Sequence, residues 1–153
     1  APVVADAEDA AADDAEIAPL AAPIDGEFPE TGARVLVIDD EENIREILQD
    51  ILEGDGHEVV AVDDGPSGLG KLGQQPFDVV LTDLSLPGMS GWDICARVKK
   101  GFPRVTVGLI TGWGATLDAD EAKASGVDHV LSKPFRFDEI LRVVEEALDR
   151  RAG

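Results

Sequence analysis

Residues 34–56 read RVLVIDDEENIREILQDILEGDG, and the order of types within this stretch fixes the architecture. Arg34 is followed by four consecutive large aliphatic residues, Val35-Leu36-Val37-Ile38, with no polar alternation. A strand apolar on both sides is one covered on both faces, the signature of a parallel sheet. Two aspartates, Asp39-Asp40, close the run, and Ile44, Ile47, Leu48, Ile51 and Leu52 then recur at i, i+3, i+4, i+7 and i+8. That spacing places one apolar stripe along a helix, which Gly54 and Gly56 stop. The stretch is therefore a strand-helix unit whose strand ends in carboxylates.

The same grammar repeats outward. Strands are expected at 34–38, 58–62, 78–82, 105–110 and 127–131. Helices follow at about 89–100 and 136–150, the latter with Phe137, Ile140, Leu141, Val144 and Leu148 on one face. Two helices read as weak: 65–75, interrupted by glycines, and 115–125, mostly alanine and acid. Right-handed crossovers between five such units give a doubly wound, flavodoxin-like α/β domain over residues 34–150, with five parallel strands in the order 2-1-3-4-5 and helices on both faces.

In that order the first and third strands are neighbours at the topological switch point, so Asp39, Asp40 and Asp83 converge on one sheet edge. Clustered carboxylates resist ionisation unless a cation intervenes. Mg²⁺, or Mn²⁺ in its place, is the expected cation, being hard and oxygen-seeking. Lys133, following Val130-Leu131-Ser132, supplies a fixed positive charge, and Thr111 at the end of the fourth strand supplies a hydroxyl. Three carboxylates, an ammonium and a hydroxyl at one edge suit metal-assisted phosphoryl chemistry, in which catalysis is chiefly positioning and electrostatics.

Charge restricts the partners. The formal net charge is -19, with 32 acidic and 13 basic residues among 153. Affinity for nucleic acid comes mainly from Lys and Arg neutralising phosphates, so nucleic-acid binding is not expected of this chain. Residues 1–33 hold 9 acids and no Lys or Arg, and are rich in Ala and Pro. They offer too few large apolar groups to offset ordering entropy, and read as a disordered acidic linker or tail. No signal peptide is evident, and no run of about 18 apolar residues exists to span a bilayer, so membrane contact is not expected. The start without Met, together with the linker, reads as a piece of a longer protein with a domain upstream. Cys95 is the only cysteine, which excludes an internal disulfide, favours a reducing, cytoplasmic setting, and reads as a small buried apolar residue.

The segments VLVIDDE (35–41), VVLTDLSLPGMSGWD (79–93), VGLITGWG (107–114) and VLSKPF (130–135) resemble, in order and spacing, the receiver domain of two-component response regulators and hybrid histidine kinases. The resemblance covers residues 34 to about 150 and implies the CheY-like form of the fold above. It implies that Asp83 accepts a phosphoryl group from a phosphohistidine of a histidine kinase or histidine phosphotransfer protein. Asp40 and Asp83 would bind Mg²⁺ directly with the backbone carbonyl of Ser85, and Asp39 would act through water. Thr111 and Lys133 would contact the phosphoryl oxygens, and the Lys133-Pro134 bond would be cis. Phosphorylation would alter a downstream partner's binding at the face formed by the fourth helix, fifth strand and fifth helix. The domain would be a monomer or a phosphorylation-dependent dimer, and would catalyse only its own phosphorylation and dephosphorylation.

Alternatives stand beside this reading. Asp39-Asp40 alone also fits an acidic helix start favoured by the macrodipole. Gly68-Leu69-Gly70-Lys71-Leu72-Gly73 spells G-x-G-x-x-G with Asp93 about 20 residues on, but it does not directly leave a strand, and Pro66 is placed to begin a helix, so nucleotide binding is not expected. His57 and His129 read as solvated, and Trp92 as a packing residue. Gly112 beside Thr111 leaves room for an incoming group. Val130 stands where the family commonly has an aromatic residue, a departure from the usual threonine-aromatic switch. Trp113 reads as a shield and reporter of the phosphoryl group. The linker suits the C-terminal receiver of a hybrid sensor kinase, with a stand-alone regulator as runner-up. Two readings of other kinds are a small haloacid-dehalogenase-like phosphatase, which would want an Asp where Ser85 stands, and a phosphorylation-independent interaction module.

Overall fold

A computed structural model describes residues 32–112 and 119–152 of the chain. The tail at 1–31 and Trp113 lie outside the described residues. Among the described residues ten elements alternate: β1 (Arg34–Ile38), α1 (Glu42–Gly54), β2 (Glu58–Val62), α2 (Gly65–Leu72), β3 (Val79–Asp83), α3 (Gly91–Gly101), β4 (Thr106–Thr111), α4 (Ala119–Ser125), β5 (His129–Ser132) and α5 (Phe137–Ala152). The five strands pair in parallel in the order β2-β1-β3-β4-β5. This is the flavodoxin-like arrangement expected from the sequence.

The uninterrupted apolar runs serve two cores at once. Val35 and Val37 of β1, with Val79 and Leu81 of β3, point to one side, where Leu48 and Leu52 of α1 and Ile140 and Val144 of α5 cover them. Leu36, Ile38 and Val80 point to the other side, against Leu72 of α2 and Ile94, Cys95 and Val98 of α3. Every residue of β1, β3 and β4 is buried as a result. Trp92 packs against the second core, as expected of it. Cys95 is fully buried there, and burial pushes its thiol pKa up to about 12.

The differences from the sequence reading lie at element ends. β3 begins at Val79, because Asp78 uses its side chain as well as its backbone against Arg34, accepting from Arg34 N at 3.0 Å. β4 runs over 106–111 rather than 105–110. β5 begins at His129, two residues late, because the Asp128 carboxylate accepts from Val107 N at 2.8 Å and also pairs with Lys99 Nζ at 2.7 Å. The glycine-broken α2 forms over 65–72, held at its start by Asp64, whose Oδ1 accepts from Ser67 N at 2.7 Å. Gly68 faces the core so closely that an added Cβ would collide with Ile38, while Gly70 and Gly73 are exposed, so the G-x-G-x-x-G string lies on a helix and its C-cap rather than in a turn leaving a strand. His57 is not solvated. Its side chain is 7% exposed, with Nδ1 accepting from Ala33 N at 2.9 Å and Nε2 3.2 Å from Asp55. His129 is partly buried and sits 3.1 Å from Glu146. No helix among the described residues is long and apolar enough to cross a membrane.

Candidate functional site

The C-terminal ends of β1, β3 and β4 and the loop after β5 meet at one sheet edge, and each delivers one polar group. Asp39 directly follows β1 and is fully buried. Three of its atoms are fixed: its N–H donates to Val62 O at 3.1 Å, its carbonyl accepts from Arg45 Nη1 at 2.8 Å, and its Oδ1 accepts from Glu41 N at 2.9 Å. Its Oδ2 is buried with no hydrogen-bond partner among the described residues, and Lys133 Nζ stands 3.5 Å away. Asp40, next in the chain, is exposed.

Asp83 is the last residue of β3 and only 5% exposed, with Oδ1 3.7 Å from Lys133 Nζ. The chain leaving it stays beside β4 for one more residue, Leu84 N donating to Ile110 O at 2.9 Å, and returns at Gly91, whose N donates to Leu84 O at 2.8 Å. Gly91 is required for this return, since a Cβ there would lie 2.5 Å from Asp83 O. Ser85 and Pro134 are exposed, and the Lys133-Pro134 bond is cis, as the resemblance implied. Thr111 ends β4, buried, its Oγ1 donating to Leu131 O at 3.4 Å, while Lys133 N donates to Thr111 O at 2.9 Å. Gly112 follows, with nothing among the described residues that an added Cβ would touch. Val130 of β5 is 38% exposed.

The electrostatics are dominated by excess negative charge in a dry setting. Burial, then the neighbouring Asp39 and Asp40 charges, push the Asp83 pKa up to about 6 against the pull of Lys133. Burial also raises Asp39, outweighing the Glu41 N–H and Lys133. Burial works to lower the pKa of Lys133, but Asp39, Asp83 and Glu41 outweigh it and hold the ammonium above its usual value. One lysine thus faces three carboxylates, Asp39, Glu41 and Asp83, at 3.5 to 3.7 Å. One carboxylate oxygen from each of Asp39, Asp40 and Glu41 lies within 4.8 Å of the other two. The acids gathered around Asp83, Asp39 and Asp40 among them, offer oxygen donors short of positive charge, which fits a hard divalent cation.

Asp39, Asp40, Asp83, Thr111 and Lys133 therefore gather at one edge with Ser85, Gly112 and Pro134 beside them, whereas Val130 lies two positions back within β5 and Trp113 lies outside the described residues. Two were missed. Glu41 passes as an ordinary acid at a helix start, and Arg45 as a surface residue of α1. The available signal was spacing: Glu41 lies two residues after Asp39, within reach of its side chain, and Arg45 sits on the first turn of the helix that Asp39 introduces.

Comparisons with known proteins agree with this geometry. The family model described as response regulator receiver domain matches residues 35–145. Response regulator protein FleR of Pseudomonas aeruginosa is 37% identical over 112 residues, covering 73% of this chain and 24% of its own length. Sensor histidine kinase AruS of the same organism is 36% identical over 118 residues, covering 73% of this chain and 12% of its own length. The chain thus spans a minor part of these two relatives. The crystal structure of a response regulator receiver domain protein from Clostridium thermocellum superposes with a TM-score of 0.73 at 34% identity, covering 78% of this chain and 97% of that one. Fold, site and relatives lead to one conclusion: this chain belongs to the response regulator receiver domain family of two-component signalling.

Proposed function

We propose that Asp83 is the phosphoacceptor of this receiver, taking a phosphoryl group from a phosphohistidine donor. The observation that carries this reading is the Asp83 carboxylate at the end of β3, buried beside a single shared lysine and two further acids. A carboxylate oxygen of Asp83 attacks phosphorus, the P–N bond to the donor imidazole breaks, and the imidazole nitrogen leaves with the bond's electron pair. Hydrolysis later cleaves the acyl phosphate, releasing inorganic phosphate and regenerating the carboxylate. A pKa of about 6 leaves Asp83 largely ionised at neutral pH, as a nucleophile must be.

Lys133 balances negative charge on the phosphoryl oxygens, and the Thr111 hydroxyl gives up its long bond to Leu131 O to donate to one of them. Asp40 and Asp83, with the Ser85 carbonyl, would hold Mg²⁺ or Mn²⁺, with Asp39 acting through water. When bound, the cation disperses charge on the transferring group and lowers the cost of keeping the carboxylates ionised. Gly112 leaves open space next to Thr111. Trp113 would shield the group.

The partners on this reading are a histidine kinase or phosphotransfer protein and a downstream protein that meets the α4-β5-α5 face, where Val130 replaces the usual aromatic. The acidic segment 1–33 would join the domain to a longer protein. A sensor kinase parent is supported by the likeness to AruS, whose chain is much longer than the matched part.

Incubation with acetyl phosphate and Mg²⁺, followed by intact-mass measurement, tests the assignment. Wild type gains one phosphoryl group and Asp83→Asn gains none, a loss of at least about a hundredfold in labelling rate. Labelling of both proteins, or of neither, overturns it. Multiple turnover of phosphomonoesters would point to a phosphatase instead.

A further inference from the structure

Glu41 occupies the N-cap of α1, yet its side chain caps nothing. This position ordinarily takes Ser, Thr, Asp or Asn, whose short side chains reach the free amides of the first turn. The Glu41 carboxylate instead reaches Lys133 Nζ at 3.6 Å. Its backbone N–H meanwhile fixes Asp39 Oδ1, so the residue touches both the buried acid and the lysine.

The three acids around Lys133 differ in how freely they can let it go. Asp39 is wholly buried and Asp83 7% exposed, whereas the Glu41 side chain is 54% exposed. Withdrawing Lys133 from either buried carboxylate leaves a charge uncompensated out of water, which is costly. Glu41 can turn into solvent at little cost. It is the exchangeable partner of the three.

We propose that Glu41 is a positioning residue that shares Lys133 in the resting site and yields it when a phosphoryl group arrives at Asp83, so that its carboxylate slows phosphorylation. The inference rests on Asp83 being the phosphoacceptor. Before transfer, Glu41 competes with the incoming phosphoryl oxygens for the ammonium and adds to the negative potential that an anionic donor must approach. Removing its charge leaves Lys133 to Asp39 and Asp83, oriented toward the acceptor.

The test compares wild type, Glu41→Gln and Glu41→Asp for the rate of labelling by acetyl phosphate at saturating Mg²⁺, at low and high salt, alongside the Mg²⁺ dependence of labelling. Glu41→Gln should label about two- to fivefold faster at low salt, the range set by a partly exposed ion pair. That advantage should shrink at high salt, which screens exposed charges but would not alter a purely structural effect. Glu41→Asp, one methylene short of Lys133, should also label faster than wild type. Labelling of Glu41→Gln at or below the wild-type rate overturns the inference while leaving Asp83 as acceptor. A tenfold rise in the Mg²⁺ concentration needed for half-maximal labelling of Glu41→Gln also overturns it, since Glu41 would then be a cation ligand. No labelling of wild type removes both readings together.

Discussion

Strand β3 is bracketed by two aspartates that are equally hidden and oppositely provided for. Asp78, directly before the strand, and Asp83, its last residue, are each 5% exposed. Burial raises both pKa values. At the N-terminal edge of the sheet, Asp78 Oδ2 accepts from Arg34 N and from Arg151 Nη1, both at 3.0 Å. The two arginines are themselves tied down, Arg34 to Pro76 O at 3.0 Å and Arg151 to Gly32 O at 3.1 Å. At the C-terminal edge, Asp83 has a third of one lysine at 3.7 Å, and its acidic neighbours raise its pKa further. A buried carboxylate with its partners in place fastens a fold; one left short of positive charge is ready to take on a cation or a phosphoryl group.

The strongest test of that contrast is to remove the fastened acid. Asp78→Ala deprives a buried backbone N–H and a partly buried guanidinium of their acceptor, and should cost about 3 kcal/mol in urea unfolding. Acetyl phosphate labelling below the transition should stay within about twofold of wild type. A loss of labelling with stability intact would collapse the distinction between the two ends.

A second test uses pH without divalent cation. Because the folded pKa of Asp83 lies near 6 and its unfolded value near 3.8, the native state binds its proton more tightly. Between those values the folded protein holds more protons than the unfolded chain, so stability falls as pH rises through the window and the deficit persists above it. Two pKa units correspond to on the order of 2–3 kcal/mol. Asp83→Asn lacks this penalty, so unfolding curves should show it gaining on wild type from pH 4 to pH 7. Parallel pH profiles for the two proteins would contradict the under-compensated site.

The smallest effect is that of the cation. At ten times its dissociation constant Mg²⁺ should add about 1.4 kcal/mol, read as a rise in the urea midpoint. Asp78→Ala should retain the increment and Asp40→Asn should lose most of it.

Much of this was legible in the chain because few physical rules generate it. Doubly apolar runs bounded by turn residues suit covered parallel strands, the stripe of α1 suits an amphipathic helix, and strand-end residues at the switch point of a doubly wound sheet lie together. Asp39, Asp83, Thr111 and Lys133 are therefore found together on pattern alone. What escaped reading depends on side chains replacing backbone. Asp78 and Asp128 take over hydrogen bonds at strand starts, which moves β3 and β5 later than their apolar runs suggest. His57 looked like a surface residue because its acceptor role toward Ala33 N depends on residues 24 apart meeting at the sheet edge. Glu41 looked like any acid at a helix start, since nothing local says that its side chain turns away from the helix. Gly65 and Gly68 read only as helix-weakening residues, and their close packing against Met89 and Ile38 depends on tertiary neighbours.

The sequestration of Cys95 within α3 has a practical corollary. A thiol with a pKa near 12 and no exposed surface carries almost no thiolate at neutral pH, so it is a poor target for alkylating reagents while the protein is folded. The native chain therefore behaves toward maleimides as if it had no cysteine. A single cysteine introduced at exposed Val130 would take a spectroscopic label without background, at the strand face where a response to phosphorylation is to be sought.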